Sequence, residues 1–143
     1  MSASRPADVV VYVCYNCTPP GTRLPRQWEQ GGLLVQVHEV PCSGKTDAQY
    51  LFHAFEGGAG AVCVVACPAG ECRLAQGNYR AQVRVGMVQR LMAEIGVEPE
   101  RIALVHCSKD DPADRLERLA REAIDKFAAL PKTAASITGA AAS

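Results

Sequence analysis

Seven cysteines in 143 residues dominate any chemical reading of this chain. Cys14 and Cys17 form a Cys-x-x-Cys pair, Cys67 and Cys72 form a Cys-x4-Cys pair, and Cys42 stands between the pairs in Pro41-Cys42-Ser43-Gly44. Thiolates are soft donors, and sets of them hold zinc, hold iron–sulfur clusters or act as redox dithiols. The first pair alone fits all three. Adding Cys42 and the second pair favours an iron–sulfur cluster, with a structural zinc module and a thiol oxidoreductase as the competing readings. Cys63 alternates with apolar neighbours and reads as a small core residue. Cys107 is held in reserve, since the end of an apolar run suits either core or rim.

Two look-alike motifs fail. Cys67-x5-Arg73 has the spacing of a cysteine phosphatase loop, but Pro68 donates no hydrogen bond and Glu71 would repel a phosphate. Gly77-Asn78 is also expected to interrupt the chain before the next helix. Gly44-Lys45-Thr46 resembles the end of a P-loop, but Glu39 occupies the place of its leading glycine. His38, His53 and His106 are scattered, and no metal role is assigned to them.

The elements that must position the cysteines follow from hydrophobic patterning. Val9 to Val13, Leu33 to Val40, Ala61 to Ala66 and Arg101 to Val105 read as strands. A helix is signalled from Thr46 to the stop at Gly57-Gly58. Another is signalled by Val83, Met87, Val88, Leu91, Met92 and Ile95, which recur at helical spacing before Gly96. A third opens at Pro112 with Leu116, Leu119, Ala120, Ala123 and Phe127 inward. Alternation of this kind predicts an α/β fold: a small, mostly parallel sheet of about four strands flanked by helices, of flavodoxin or Rossmann type. Cys14, Cys42, Cys67 and Cys107 then follow the ends of successive strands, so the cysteines gather at the carboxyl edge, where open α/β sheets bind their ligands.

The expected organisation is a disordered stretch over 1–8, one α/β domain over 9–130 and a flexible Ala/Ser/Thr-rich tail over 131–143. Fifteen basic residues balance fifteen acidic ones, which gives no support to nucleic-acid or anionic-membrane binding. With neither a signal peptide nor a membrane-spanning run in the sequence, a cytoplasmic protein is expected, and a reducing compartment argues against a disulfide framework. Trp28 with Arg23 and Arg26 reads either as a docking patch or as an amphipathic cover over the sheet.

Cys14-x-x-Cys17, Pro41-Cys42-Ser43-Gly44-Lys45, Ala66-Cys67-Pro68-Ala69-Gly70-Glu71-Cys72, Gly77-Asn78-Tyr79-Arg80 and Glu98-Pro99-Glu100-Arg101 occur in an order and spacing that resemble the delta subunit of methyl-viologen-reducing hydrogenase. The resemblance runs from about Val9 to Val105. It implies a [2Fe–2S] cluster and a subunit that turns over no substrate itself. Such a subunit relays electrons from a hydrogenase or another oxidoreductase to a flavin-containing, heterodisulfide reductase-like subunit. It also implies that the ligands come from Cys14, Cys17, Cys42, Cys67 and Cys72, of which four suffice; supply by the two pairs Cys14/Cys17 and Cys67/Cys72 would leave Cys42 as spare or alternate. Pro68 and Arg73 stand where family members often have histidine. Both departures bear on cluster potential and on the identity of the partner.

Overall fold

A computed structural model describes residues 7–15, 18–19, 21–40, 51, 53–55, 58–66, 77–94, 96–108 and 110–130, with backbone alone at 77–81. Among them a five-stranded sheet runs in the order β2-β3-β1-β4-β5, formed by β1 (Val9–Val13), β2 (Gln27–Gln30), β3 (Leu33–Glu39), β4 (Ala61–Ala66) and β5 (Ile102–His106). β1, β3, β4 and β5 are parallel neighbours. β2 pairs antiparallel with β3. The fold class is therefore as expected, with one strand more than the patterning predicts.

β1 and β4, at the centre, consist almost wholly of Val, Ala and Cys and are buried along their full length. Such runs suit a strand covered on both faces. Side-chain alternation divides them between two cores. Val10, Tyr12, Cys14, Val62 and Val64 point to one face; Val9, Val11, Val13, Cys63 and Val65 point to the other. Burying each valine contributes on the order of 1.5–3 kcal/mol.

Helix α1 (Gly77–Glu94) covers the first face, and helix α2 (Arg115–Ala128) covers the second. Leu51 and residues 53–55 are helical, and Leu51, Ala54 and Phe55 join the core on the α1 side. The remainder of the helix expected from Thr46 lies outside the described residues, as do the stretches 1–6 and 131–143.

On α1, Val85, Val88 and Met92 form the buried side, whereas Val83, Met87 and Leu91 face outward. Two expectations need correction. α1 includes Gly77, so the Gly77-Asn78 pair does not interrupt the chain ahead of the helix. Arg101 belongs to a 3-10 turn (Pro99–Arg101) that precedes β5. There its buried guanidinium donates to Glu98 at 2.8 Å and to the Gly60 carbonyl at 3.2 Å.

The β2–β3 hairpin turns through Gly31 and Gly32, both with positive φ, as the tight turn favoured between twisted antiparallel strands requires. No helix among the described residues is long and apolar enough to cross a membrane.

Candidate functional site

The four parallel strands finish level with one another. Val13 pairs with Glu39 on one side and Val65 on the other, and Ala66 pairs with His106. Just beyond, the Val40 N–H donates to the Val13 carbonyl at 2.8 Å, and the Cys107 N–H donates to the Ala66 carbonyl at 3.0 Å. The chain leaves β1 to form β3 on one side and then crosses to form β4 on the other. The topological switch point therefore lies at β1, where ligand crevices open in this class of sheet.

Cys14 is the residue after β1. It is buried, 3% exposed, and its side chain lies on the α1 face with Val10, Tyr12 and Val40. Of the five cysteines that the family resemblance points to, Cys14 lies within the described residues; Cys17, Cys42, Cys67 and Cys72 lie outside them. In sequence, Cys67 directly follows β4 and Cys42 follows Val40 by two residues. Among the described residues, no group of three or more His, Cys, Asp or Glu side chains gathers to hold a metal ion.

The turn after Cys14 is fixed by contacts that spacing alone does not reveal. The Tyr15 hydroxyl accepts a hydrogen bond from the Leu24 N–H at 3.1 Å, and the Thr18 hydroxyl donates to the Tyr15 carbonyl at 3.2 Å. Arg23 lies 4.4 Å from the centre of the Tyr15 ring and pairs with Glu39 at 3.2 Å. Cation–π attraction and the ion pair together hold the ring against the end of β3. Tyr15, Arg23, Arg26, His38 and Glu39 line an open cleft of about 550 Å3. Arg23 and Glu39 are sixteen positions apart, so no local pattern marks them as partners.

Trp28 acts as a cover. It packs against the α2 core, its indole N–H donates to Gln30 at 3.0 Å, and Arg121 of α2 lies 5.1 Å from its ring centre. Gln30 in turn donates to the Arg121 carbonyl at 2.9 Å and to Asp125 at 2.8 Å.

Cys63 and Cys107 differ from Cys14 in environment. Both lie on the α2 face and are fully buried. Burial pushes the Cys63 thiol up to about 12. Burial, reinforced by the negative charge of Asp111, pushes Cys107 up to about 11. A thiol held neutral in an apolar core is inert. Cys63 is thus the core residue that its alternation suggested, and the reserve position Cys107 is core as well.

The family model for the methyl-viologen-reducing hydrogenase delta subunit matches residues 9–130. The chain belongs to that family. Among curated relatives, it is 40% identical over 70 residues to the iron-sulfur subunit of the F420-non-reducing hydrogenase of Archaeoglobus profundus, which covers 49% of this chain and 51% of that protein. The vhu iron-sulfur subunit of the F420-non-reducing hydrogenase of Methanocaldococcus jannaschii is 39% identical over 74 residues, 52% of this chain and 55% of the relative. The matched stretch thus spans about half the length of these two relatives. A similar segment lies within a much larger protein, one of the subunits of the ferredoxin:CoB-CoM heterodisulfide reductase of Methanosarcina mazei. The match there is 31% identical over 68 residues, 48% of this chain and 9% of that protein.

Proposed function

We propose that this chain is an electron-transfer subunit carrying a [2Fe–2S] cluster at the carboxyl edge of its sheet, held by four of Cys14, Cys17, Cys42, Cys67 and Cys72. The observation that carries the reading is the position of buried Cys14 at the β1 switch point, with the other four cysteines following β1, β3 and β4 in sequence. Five soft thiol donors that follow neighbouring strands in sequence suit an iron–sulfur centre, and family membership favours iron over zinc. When bound, such a cluster supplies reversible one-electron chemistry.

The residues of the chain itself do the positioning. The bonds Val40 N–H to Val13 and Cys107 N–H to Ala66 brace neighbouring strand ends across the edge. Tyr15, clasped by Arg23 and Leu24, fixes the chain directly after Cys14. Val10 and Val40, packed beside Cys14 on the α1 side, would exclude water from that side of a bound cluster and so influence its potential. No general acid or nucleophile is needed.

The partners consistent with the relatives are a hydrogenase or another oxidoreductase on the donor side and a flavin-containing, heterodisulfide reductase-like subunit on the acceptor side. The setting proposed is the cytoplasm.

Metal analysis of anaerobically purified full chain tests the reading. The expected result is about two iron and two acid-labile sulfide per chain, with a rhombic EPR signal after reduction. Stoichiometric zinc, or a metal-free protein with an active dithiol, would overturn it.

A further inference from the structure

β3 runs on past the strand beside it. β2 pairs with Leu33 to Gln36, and Val37, His38 and Glu39 continue toward the carboxyl edge without it. Main-chain groups of successive strand residues alternate between the two edges of the strand. The Val40 N–H and the Leu34 carbonyl bond toward β1, so the even-numbered residues of β3 face β1, while Val37 and Glu39 face away from it. The Val37 N–H meets the Arg26 carbonyl at 2.9 Å. For the Val37 carbonyl and for the N–H and carbonyl of Glu39, no main-chain partner occurs among the described residues. An open strand edge is a template for another strand, and proteins commonly guard it with lysine, proline or a bulge. Val37-His38-Glu39 contains neither lysine nor proline.

This bare stretch borders the open cleft of about 550 Å3 that Tyr15, Arg23, Arg26, Gln36, His38 and Glu39 line. The charges there are unequally used. Arg23 and Glu39 are spent on each other at 3.2 Å, and His38 contacts Gln36 at 3.2 Å. The exposed Arg26 side chain has no hydrogen-bond or ion-pair partner among the described residues. The cleft therefore offers main-chain donors and acceptors beside one uncommitted positive charge. A small anion would meet the charge and leave the main chain bare, whereas an extended peptide with a carboxylate satisfies both. The edge strands of this chain do not supply that mate. β5, Ile-Ala-Leu-Val-His, carries no carboxylate, and Glu29 of β2 is already engaged.

We infer that the outer edge of β3, from Val37 to Glu39, receives an extended segment of a different polypeptide, added to the sheet as a strand, with an aspartate or glutamate that meets Arg26. The location suits such a role. Tyr15, which lines the cleft, directly follows Cys14, and Glu39 lies level with Val13 at the carboxyl edge. A segment seated on β3 therefore reaches the end of the sheet at which Cys14 stands. The inference goes beyond the electron-relay reading and stands without it.

The test uses the full chain with a photoreactive benzophenone side chain in place of Gln27, at the cleft, isolated with the subunits that co-assemble with it in its native host. The same label at Arg118, on the outer face of α2, serves as control. Irradiation should link position 27 to another polypeptide, at a segment containing Asp or Glu, and position 118 should link weakly. Glu39→Ala and Glu39→Pro both lose the carboxylate, but proline also removes the outward N–H and fills the edge. The proline variant should cut the yield about tenfold and the alanine variant should stay within about threefold. Arg26→Glu should cut it about fivefold, and Arg26→Lys should stay within about twofold. If circular dichroism melting shows that Glu39→Pro unfolds, hydrogen exchange of the Glu39 amide in the unsubstituted chain decides, and it should be at least about tenfold slower in the complex than in the isolated chain. Links within this chain or to a second copy, links to a segment without a carboxylate, no link, equal yields from the proline and alanine variants, indifference to Arg26→Glu, or a Glu39 amide that exchanges alike in both states would each overturn the inference. Iron and sulfide measured on the same samples report separately on the relay.

Discussion

The two helices that sandwich the sheet solve different problems. In α2 the buried residues Leu116, Ala120, Ala123, Ile124 and Phe127 form one side, and the other side is charged and pairs internally: Arg118 with Asp114 at 3.5 Å, Arg121 with Glu117 at 2.9 Å. It is a helix made to end at water. α1 buries Val85, Val88 and Met92 yet turns Val83, Met87 and Leu91 outward, a division that core packing alone does not account for. The thiols follow the same division, since Cys14 lies on the α1 side while inert Cys63 and Cys107 lie on the α2 side. One face of the sheet thus holds only core thiols among the described residues, while the other holds Cys14 and the outward apolar line of α1.

Cavity-forming substitutions should break the contrast most forcefully. Phe127→Ala in α2 is expected to cost about 3–5 kcal/mol and Met92→Ala in α1 about 2–5, read by urea unfolding. Met87→Ala and Leu91→Ala, on the same helix as Met92, should change stability by less than about 0.5 kcal/mol. Equal losses at positions 87 and 92 would erase the distinction between the two sides of α1.

Arg101→Ala comes next, at about 1–3 kcal/mol, because it removes a buried side chain and leaves the Gly60 carbonyl without that donor. The Arg101 guanidinium also holds the Glu98 carboxyl below its usual value, mainly through their hydrogen bond. Glu98 accordingly adds stability above its unfolded pKa that is lost as pH falls through the lower folded one. Glu98→Gln should therefore narrow the stability gap between neutral and acid pH.

Alkaline pH should weaken the α2 side. The thiols of Cys63 and Cys107 ionise near 9 in the unfolded chain but near 12 and 11 in the folded one. Above pH 9 the unfolded state sheds protons that the folded state retains, so stability falls as pH rises, by at most roughly 1.4 kcal/mol per unit for each thiol. Cys63→Ala should flatten that slope in thermal melts. A slope left unchanged in both Cys63→Ala and Cys107→Ala would show that these thiols do not carry it. Smallest of all, Glu117→Ala should cost under about 0.5 kcal/mol and lose even that in high salt, since the pair it breaks is exposed.

Runs such as Val9–Val13 and Ala61–Ala66 were legible because a fully buried parallel strand admits little besides β-branched and small apolar residues. β2 was not legible from strand propensity. Gln-Trp-Glu-Gln is an edge strand with polar side chains, and the signal that could have found it is Gly31-Gly32, a hairpin turn in front of Leu33. α1 was legible as a helix, but which of its sides is buried was not, because Val83, Met87 and Leu91 recur with the same helical period as the buried residues Val85, Val88 and Met92. Periodicity reports that a face is apolar, not what the face meets. At the candidate site the legible part was the succession of cysteines after strands. The clasp of Arg23 and Glu39 on Tyr15 was hidden, because it depends on how β3 returns beside β1.

The amino end of the sheet has a consequence for how such a unit can be built into other proteins. Asp8 is bound into that end by its N–H to the Leu34 carbonyl and by its carboxylate, which accepts from the Leu34 N–H, each at 2.8 Å. The C-terminus of α2 arrives at the same end, where Ala128 lies so close to Gly31 that a side-chain carbon there would come within 3.1 Å. The described body is thus entered and left at one pole, with Cys14 at the other. A unit wired in this way can be spliced onto a longer polypeptide, its joints remote from its working end, which suits the presence of a similar segment within the much larger reductase protein.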